Sequence, residues 1–368
     1  MTQFIRILSI DGGGIRGILP AQFLANVERR LREISGRPDA CIADFFDFFA
    51  GTSTGGVITA LHLTPHPDDP SRPKYDAADV QSTYRRAGNL VFSSNLWKRL
   101  RTGGGFLNRK FDATELEAAF SDYFHETRLK ELLKPCLITA YDIQRGQPHY
   151  FCQHMARMQP GHDFYVRDVA RATSAAPTFF EVAMTRNERG EEFPLIDGGV
   201  YANDPALCAY TEVRSIYRYV DPSRILLLSV GTGRVPISMR YEAARSFGIV
   251  RWLGPLPDIM ISSVSATVQA HLGKLFDAAG SPDQYLRINP IIGQAPLPTA
   301  EIDDARDENI NALRELGDST FAEGGPELDA FLKRLVSPGL PVGRTVTNLP
   351  GMVRSWWRER QAEEGAAG

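Results

Sequence analysis

A serine flanked by glycines is the first place in the chain where nucleophilic chemistry can be expected. The segment GTSTG, residues 51–55, lies between an apolar run predicted as a strand and a buried pattern predicted as a helix. In a nucleophile elbow the serine sits on a tight strand-to-helix turn. Glycines two residues to either side, here Gly51 and Gly55, remove side chains that would collide with neighbouring elements. G-x-S-x-G also occurs by chance in ordinary turns, so the prediction that Ser53 is a nucleophile depends on the flanking strand and helix.

Three consecutive glycines directly after the first apolar run could bind an anion. Residues 11–17 are DGGGIRG, and consecutive glycines let backbone N–H groups converge on one negative charge, either a tetrahedral oxyanion or a phosphate. Gly12, Gly14 and Gly17 also match the G-x-G-x-x-G pattern, which makes a nucleotide-binding sensor protein the competing hypothesis. That fold needs a second strand ending in an acidic residue about 20 positions later. Residues 31–38 instead indicate a helix end and a turn, so this hypothesis loses most of its support.

A carboxylate at the end of a later apolar run could act as the base. Asp197 follows the run FPLI and precedes two glycines that permit close backbone approach. A plain Asp-Gly turn is the more common meaning of such a segment, so its weight comes from the other two motifs. A carboxylate can take the proton of Ser53 directly. In the serine–acid–histidine order of α/β-hydrolases the third member would be His271, but its predicted helix favours a surface role.

The elements that must position these residues alternate between strands and helices. Apolar runs predict buried strands at residues 4–10, 45–50, 135–141, 193–196 and 225–230. Apolar residues at steps of three and four predict helices at residues 19–34, 259–276 and 305–316. This alternation favours an α/β architecture. No repeat or long linker divides the chain, so we expect one domain over residues 4–335 and a peripheral tail over 336–368.

Composition excludes several classes of protein. With 368 residues, 43% hydrophobic and 23% charged, the chain can bury a large core. A net charge of −3 provides no basic footprint for nucleic acid. The four cysteines lack a C-x-x-C pair and no histidine spacing fits a metal site, so free thiols, no metal and no cofactor are expected. No secretion signal or membrane-spanning run is visible, which favours a cytoplasmic protein.

In their order along the chain, these motifs resemble the patatin-like phospholipase family of lipid acyl hydrolases. DGGGIRG is followed about forty residues later by GTSTGG and much later by DGG. A Ser-Ala-Ala-Pro segment within residues 171–180 and the sequence LSVGTG at residues 228–233 are also similar to the family. The resemblance covers roughly residues 5–315. The ordered set is specific although each member alone is not.

The resemblance implies a three-layer α/β fold, with a central, mostly parallel sheet flanked by helices. It implies a catalytic dyad in which Ser53 is the nucleophile and Asp197 is its base. It implies an oxyanion hole at the glycine-rich loop formed by Gly12, Gly13, Gly14 and Arg16. No cofactor is implied.

The implied substrate is a phospholipid or another acyl lipid, and peripheral contact with a membrane is expected. Residues 92–100 and 356–358 mix aromatic and basic side chains that could touch a membrane, although packing on the domain is the more ordinary interpretation. Some bacterial relatives are effectors switched on by a cyclic nucleotide in antiviral defence, and nothing in this sequence establishes that alternative. Head-group preference and oligomeric state stay open.

Overall fold

The computed structural model describes residues 4–93, 113–217, 220–236, 238–252 and 255–336. Within them the chain forms one eight-stranded sheet. Its strands are β1 (Ile5–Ile10), β2 (Phe48–Thr52), β3 (Cys136–Asp142), β4 (Gln147–Cys152), β5 (Ala183–Arg186), β6 (Glu192–Asp197), β7 (Ile225–Val230) and β8 (Tyr285–Ile288).

Helices are interspersed along the chain between these strands. They are α1 (Ile18–Ser35), α2 (Ile42–Phe45), α3 (Thr54–Leu63), α4 (Ala77–Ser93), α5 (Thr114–Phe124), α6 (Gln153–Ala156), α7 (Val166–Thr173), α8 (Gly199–Ala202), α9 (Ala206–Ile216), α10 (Tyr241–Ala244), α11 (Ile249–Trp252), α12 (Leu256–Ala278), α13 (Asp307–Glu323) and α14 (Gly325–Leu335). Among the described helices, none is both long and apolar enough to cross a bilayer.

The sheet is parallel at its centre and antiparallel at one side. Its strand order is β5-β6-β3-β2-β1-β7-β8, and β4 pairs with the remaining edge of β3. The five strands from β3 to β8 in this order are parallel, whereas β4, β5 and β6 join through antiparallel pairings. The predicted mostly parallel sheet is therefore confirmed.

Each face of the sheet is covered by its own hydrophobic cluster. On β1 the side chains alternate, since Leu8 and Ile10 join one cluster while Ile5 and Ile7 join the other. The first cluster includes apolar residues of α1, α3, α4, α13 and α14, and the second includes those of α9 and α12. Helices on both faces of one sheet make the three-layer arrangement that the sequence predicts.

The first helix forms as its sequence predicts. Leu19, Phe23, Val27 and Leu31 are all fully buried against the sheet, which matches their spacing of four residues. The helix ends where Gly36 adopts a left-handed backbone, with φ of 67°, a conformation that glycine accepts without strain.

Other predicted elements differ in their bounds or were missed. The apolar run at residues 45–50 is divided, because the short helix α2 ends at Phe45 and β2 begins at Phe48. The strands β4, β5 and β8 were not predicted. Almost all of the predicted tail at 336–368 and most of residues 92–100 lie outside the described residues, as do 356–358.

The strand register brings the carboxyl ends of β2 and β6, which are far apart in the sequence, together at β3. β4 pairs with β3 from Leu137 to Asp142, so β2 and β6 share the other edge of β3. β2 ends with Thr52 opposite Thr139, and β6, running the other way, ends with Asp197 opposite Ala140. The two carboxyl ends therefore meet at neighbouring positions of one strand.

Candidate active site

Ser53 lies on a strained turn between β2 and α3. Its φ is 53° and its ψ is −124°, a region that residues other than glycine seldom occupy and that is often found at functional sites. The glycines on either side are required by close contacts. A side chain on Gly51 would lie 2.3 Å from the carbonyl oxygen of Gly55, and one on Gly55 would lie 2.1 Å from that of Ile10. The turn therefore has the geometry that the G-x-S-x-G sequence predicts.

The Ser53 hydroxyl lies close enough to the Asp197 carboxylate to lower the pKa of that carboxyl group. The two predicted residues are brought together because β2 and β6 end at neighbouring positions of β3. The N–H of Gly199 also donates to Oδ1 of Asp197 at 2.7 Å, which fixes the orientation of the carboxylate. The two glycines after Asp197 are thus in contact with the site.

Burial gives Asp197 the proton affinity of a useful base. The residue is 5% exposed, and desolvation raises its pKa to about 6, although the hydrogen bonds from Ser53 and Gly199 each lower it. At neutral pH the carboxylate is ionised, yet it binds a proton more strongly than an exposed aspartate does.

Two backbone N–H groups of the glycine-rich loop are available beside Ser53. A Cβ atom on Gly12 would lie 3.2 Å from Cβ of Ser53, so the loop lines the serine. The N–H of Gly12 donates to the carbonyl of Asn203 at 3.0 Å and is therefore occupied. Within the described part of the chain, the N–H groups of Gly13 and Gly14 have no hydrogen-bond acceptor. These two N–H groups are therefore the ones in the loop that could bind an oxyanion.

Both available donors are oriented by the carbonyl on the other side of the same planar peptide. In a trans peptide the C=O and N–H groups point in opposite directions. The carbonyl of Gly12 accepts from Oγ1 of Thr232 at 2.7 Å and from Nδ2 of Asn203 at 3.3 Å, which orients the N–H of Gly13. The carbonyl of Gly13 accepts from the N–H of Arg16 at 3.2 Å, which orients the N–H of Gly14.

The side chain of Arg16 is bound to a distant segment of the chain. Its side chain is buried, its Nη1 donates to the carbonyl of Ala300 at 3.4 Å, and its Nε has no partner among the described residues. Burial lowers the pKa of Arg16 to about 10, and the acidic groups of Asp258, Asp11 and Glu301 partly offset that effect. The guanidinium therefore stays positive at neutral pH and adds a positive field near the loop.

A buried ion cluster holds the start of the loop. Asp11 binds Arg287 through two contacts, Nη1 to Oδ1 at 2.8 Å and Nη2 to Oδ2 at 2.5 Å. The same guanidinium lies 3.5 Å from the carboxylate of Asp204 and donates to the hydroxyls of Ser229 and Ser265. Burial raises the pKa of Asp11 to about 7 against the attraction of Arg287. This cluster ties the loop to β7, β8 and α12.

The two competing hypotheses from sequence gain no support from the geometry. His271 is exposed on α12 and makes no hydrogen bond or ion pair within the described residues, so it does not complete a triad. For the nucleotide hypothesis, α1 is followed by the turn at Gly36 and the short helix α2, where a dinucleotide fold needs a strand ending in an acidic residue.

One cluster has the composition of a metal site although no sequence spacing indicated it. Possible ligand atoms of Cys152, His154 and Glu212 lie within 4.8 Å of one another. Nε2 of His154 is already bonded to Oε1 of Glu212 at 2.8 Å. The cluster joins β4 and α6 to α9, on the edge of β3 away from Ser53, and has no part in the acyl chemistry considered below. The four cysteines are free, as predicted.

Sequence reasoning missed the residues that support the loop. Thr232 lies within the segment LSVGTG, so its position in a turn after a strand was a usable signal. Asn203 and Arg287 gave no usable sequence signal, because neither belongs to a motif. In addition, β8, which contains Arg287, has only four residues, and all four are half-buried.

Comparisons with known proteins place the chain in a family. The sequence model of the patatin-like phospholipase family matches residues 8–210. Patatin-like protein 1 of Oryza sativa subsp. indica is 33% identical over 99% of this chain and 92% of its own length. Patatin-like protein 1 of Arabidopsis thaliana is 32% identical over 94% and 87%, and Patatin-T5 of Solanum tuberosum is 32% identical over 86% and 84%.

A solved structure, that of VipD from Legionella pneumophila, matches at a TM-score of 0.33 and 12% identity, over 86% of this chain and 67% of that one. That likeness is too low to support an inference. The family match and the extended similarity to plant patatins are sufficient. The chain belongs to the patatin-like phospholipase family and is a lipid acyl hydrolase.

Proposed function

We propose that this protein hydrolyses the fatty-acyl esters of phospholipids, as a phospholipase A does, through an acyl intermediate on Ser53. The observation that carries the proposal is the meeting of β2 and β6 on β3, which brings Ser53, on a strained strand-to-helix turn, close to the buried carboxylate of Asp197. The names of the family and of its plant relatives support a lipid substrate.

In the first half of the reaction Asp197 takes the hydroxyl proton as Oγ of Ser53 attacks the ester carbonyl. The carbonyl oxygen becomes an oxyanion, and collapse of the intermediate breaks the bond to the alcohol. Asp197 returns its proton to that alcohol, which leaves as the lysolipid. In the second half Asp197 takes a proton from water, whose oxygen attacks the acyl-serine, and the fatty acid is released as the proton returns to Ser53.

The oxyanion is stabilised by the N–H groups of Gly13 and Gly14. Each well-placed donor contributes roughly 3–4 kcal/mol to the transition state in comparable sites. Their peptides are fixed before substrate arrives, so little reorganisation is needed during the reaction. The positive charge of Arg16 and the N-terminus of α3 act in the same direction.

We further propose that residues 4–335 form one catalytic domain acting at a membrane surface from the cytoplasm. The sheet and both hydrophobic clusters are built from residues throughout this range, which supports a single unit. The four free thiols fit a reducing compartment. Every step of the reaction above uses groups supplied by this chain or by water.

The test is hydrolysis of a soluble p-nitrophenyl ester and of phospholipid vesicles by the purified protein. We expect Ser53→Ala and Asp197→Asn each to lower kcat about 10³-fold or more on both substrates, since each removes a reacting group. His271→Ala is the control and should retain wild-type rates. Substantial activity in either dyad variant would contradict the mechanism, and loss of activity in the control would restore a triad.

A further inference from the structure

A segment that we call the arm, residues 234–264, begins and ends beside residues that hold the glycine-rich loop; its residues 237, 253 and 254 lie outside the described part of the chain. It leaves the sheet just after Thr232, whose hydroxyl binds the carbonyl of Gly12. It returns just before Ser265, whose hydroxyl accepts from Arg287 at 3.0 Å, the same guanidinium that binds Asp11. Both ends of the arm are therefore fixed to residues that hold the glycine-rich loop.

The start of α12, within the arm, lies on the same side as the site. Asp258 is close enough to Arg16 to raise the pKa of that guanidinium. Further along, α12 packs against α8, the helix that directly follows Asp197 and Gly198. The helix that contains the end of the arm therefore contacts elements of the candidate active site.

The arm exposes large apolar side chains. Leu256 is 44% exposed and Met260 is 51% exposed. They are four residues apart and so share one face of α12, on either side of Asp258. Met239 and Tyr241, on the outward part of the arm, are also exposed. Neighbouring apolar side chains left in water beside a lipid-hydrolysing site are a candidate contact for lipid.

The charge of the arm is opposite to that of the whole chain. It contains four arginines and two acidic residues, whereas the protein as a whole carries −3. The arginines Arg234, Arg240, Arg245 and Arg251 are all exposed. Basic residues beside exposed apolar ones complement a surface that is anionic above and hydrocarbon below, and each arginine near such a surface strengthens binding.

We propose that the arm docks the protein on an anionic lipid surface, with Leu256 and Met260 entering the acyl region and the arginines lying among the phosphate groups. This inference rests on the proposed function, because it names the surface through which a bilayer ester reaches Ser53. Docking through the arm would shorten the distance that an acyl ester must travel from the bilayer to Ser53.

Binding is measured with the full chain carrying Ser53→Ala, so that hydrolysis does not alter the vesicles. The protein is sedimented with phosphatidylcholine vesicles that contain or lack phosphatidylglycerol. The paired change Leu256→Asp with Met260→Asp removes the apolar contact, and Arg240→Gln with Arg245→Gln removes charge. The matched control is Leu275→Asp. Leu275 is 40% exposed on the same helix, but it lies about 22 Å beyond Met260 along the helix axis.

We expect the aspartate pair to lower partitioning onto anionic vesicles about tenfold or more, since it removes the burial of two apolar side chains. The glutamine pair should lower it less and reduce its salt dependence. The control should bind as the parent does. Thermal melting of each variant shows that it is folded, and the glutamine pair, altered only at exposed positions, keeps the test valid if the aspartate pair unfolds.

Binding that is equal for the parent and both pairs, or equally lowered by the control, would overturn the proposal, as would a parent that ignores phosphatidylglycerol. Catalysis is tested separately through the soluble ester. If the wild type fails on that ester while arm-dependent binding persists, the proposed function is wrong and the docking surface stands. If the ester is hydrolysed while binding is independent of the arm, the docking proposal is wrong and the proposed function stands.

Discussion

Two buried aspartates, each at the end of a strand, have different partners in this molecule. Asp11 follows β1 and is 2% exposed, and Asp197 ends β6 and is 5% exposed. Burial raises the pKa of both, to about 7 and to about 6 respectively. Both oxygens of Asp11 are bound by the guanidinium of Arg287. Asp197 instead accepts a hydrogen bond from the backbone N–H of Gly199 and lies near the Ser53 hydroxyl, with no cation in contact among the described residues.

Because both aspartates are buried, burial alone does not explain their different roles. The bonding partner determines whether a buried carboxylate is a structural anchor or can accept a proton. A carboxylate held at two points by a guanidinium is a structural anchor, because both of its oxygens are occupied. A carboxylate that meets only neutral donors keeps its ability to accept a proton from one of them. The buried ion cluster thus holds the loop, and the cation-free aspartate is suited to the role of base that we propose for it.

Removing the cation that binds Asp11 tests this division most strongly. Arg287→Met leaves Asp11 and Asp204 buried without their cation, so we expect the free energy of unfolding at pH 8 to fall by about 3–5 kcal/mol. Because burial raises the pKa of both carboxyl groups, they neutralise as the pH falls, and the loss should be smaller at pH 5. Urea denaturation at both pH values measures it.

Asp197→Asn is expected to raise the free energy of unfolding, whereas Arg287→Met lowers it. The folded pKa of Asp197, about 6, exceeds the ordinary value of an aspartate, so ionisation of Asp197 costs stability, and that cost is fully present above pH 6. Asparagine removes the charge, and we expect an unfolding free energy at pH 8 that is higher by about 1 kcal/mol, beside lost activity. A variant destabilised as much as Arg287→Met would show that Asp197 is also a structural anchor.

A smaller effect is expected from the hydroxyl that orients the loop. Thr232→Val keeps the shape of the side chain but removes its hydrogen bond to the carbonyl of Gly12. The N–H of Gly13 then loses part of its orientation, which lowers transition-state stabilisation. We expect kcat on the soluble ester to fall about tenfold with KM little changed. A change confined to KM would place Thr232 in substrate binding instead.

The pH profile distinguishes the two aspartates with the least perturbation. Asp197 must be ionised to accept a proton, so kcat/KM should fall about tenfold per pH unit below pH 6 and level off above it. The measurement is initial rate on the soluble ester across pH 4 to 8, corrected for the stability of the protein. If the midpoint of the fall in kcat/KM lay near pH 7, protonation of Asp11 and loss of the ion cluster would explain the fall. That result would contradict the division of roles between the two aspartates.

The parts of the site that the sequence predicted are those that local sequence encodes. Ser53, Asp197 and the three glycines stand in short motifs at the ends of apolar runs, and the parallel core strands are long and apolar enough to be seen. The dyad contact itself follows once β2 and β6 pair with β3.

The rest depended on contacts between distant segments. Arg287 meets Asp11 because β8 pairs with β7, and the four residues of β8 are only half buried, so no alternation marks them as a strand. The antiparallel strands β4 and β5 mix polar and apolar residues for similar reasons. The sequence also cannot show that the N–H of Gly12 donates to the carbonyl of Asn203, because the two residues lie far apart in the chain.

The meeting of β2 and β6 on β3 has a consequence for synthesis on the ribosome. Ser53 emerges first, well before Asp197, and Arg287, which binds Asp11, emerges later still. Domains are made from the N-terminus onward, so a nascent chain that presents Ser53 still lacks Asp197. Under the proposed mechanism, a truncated product that ends before β6 would therefore have no base for Ser53 and would not hydrolyse lipid.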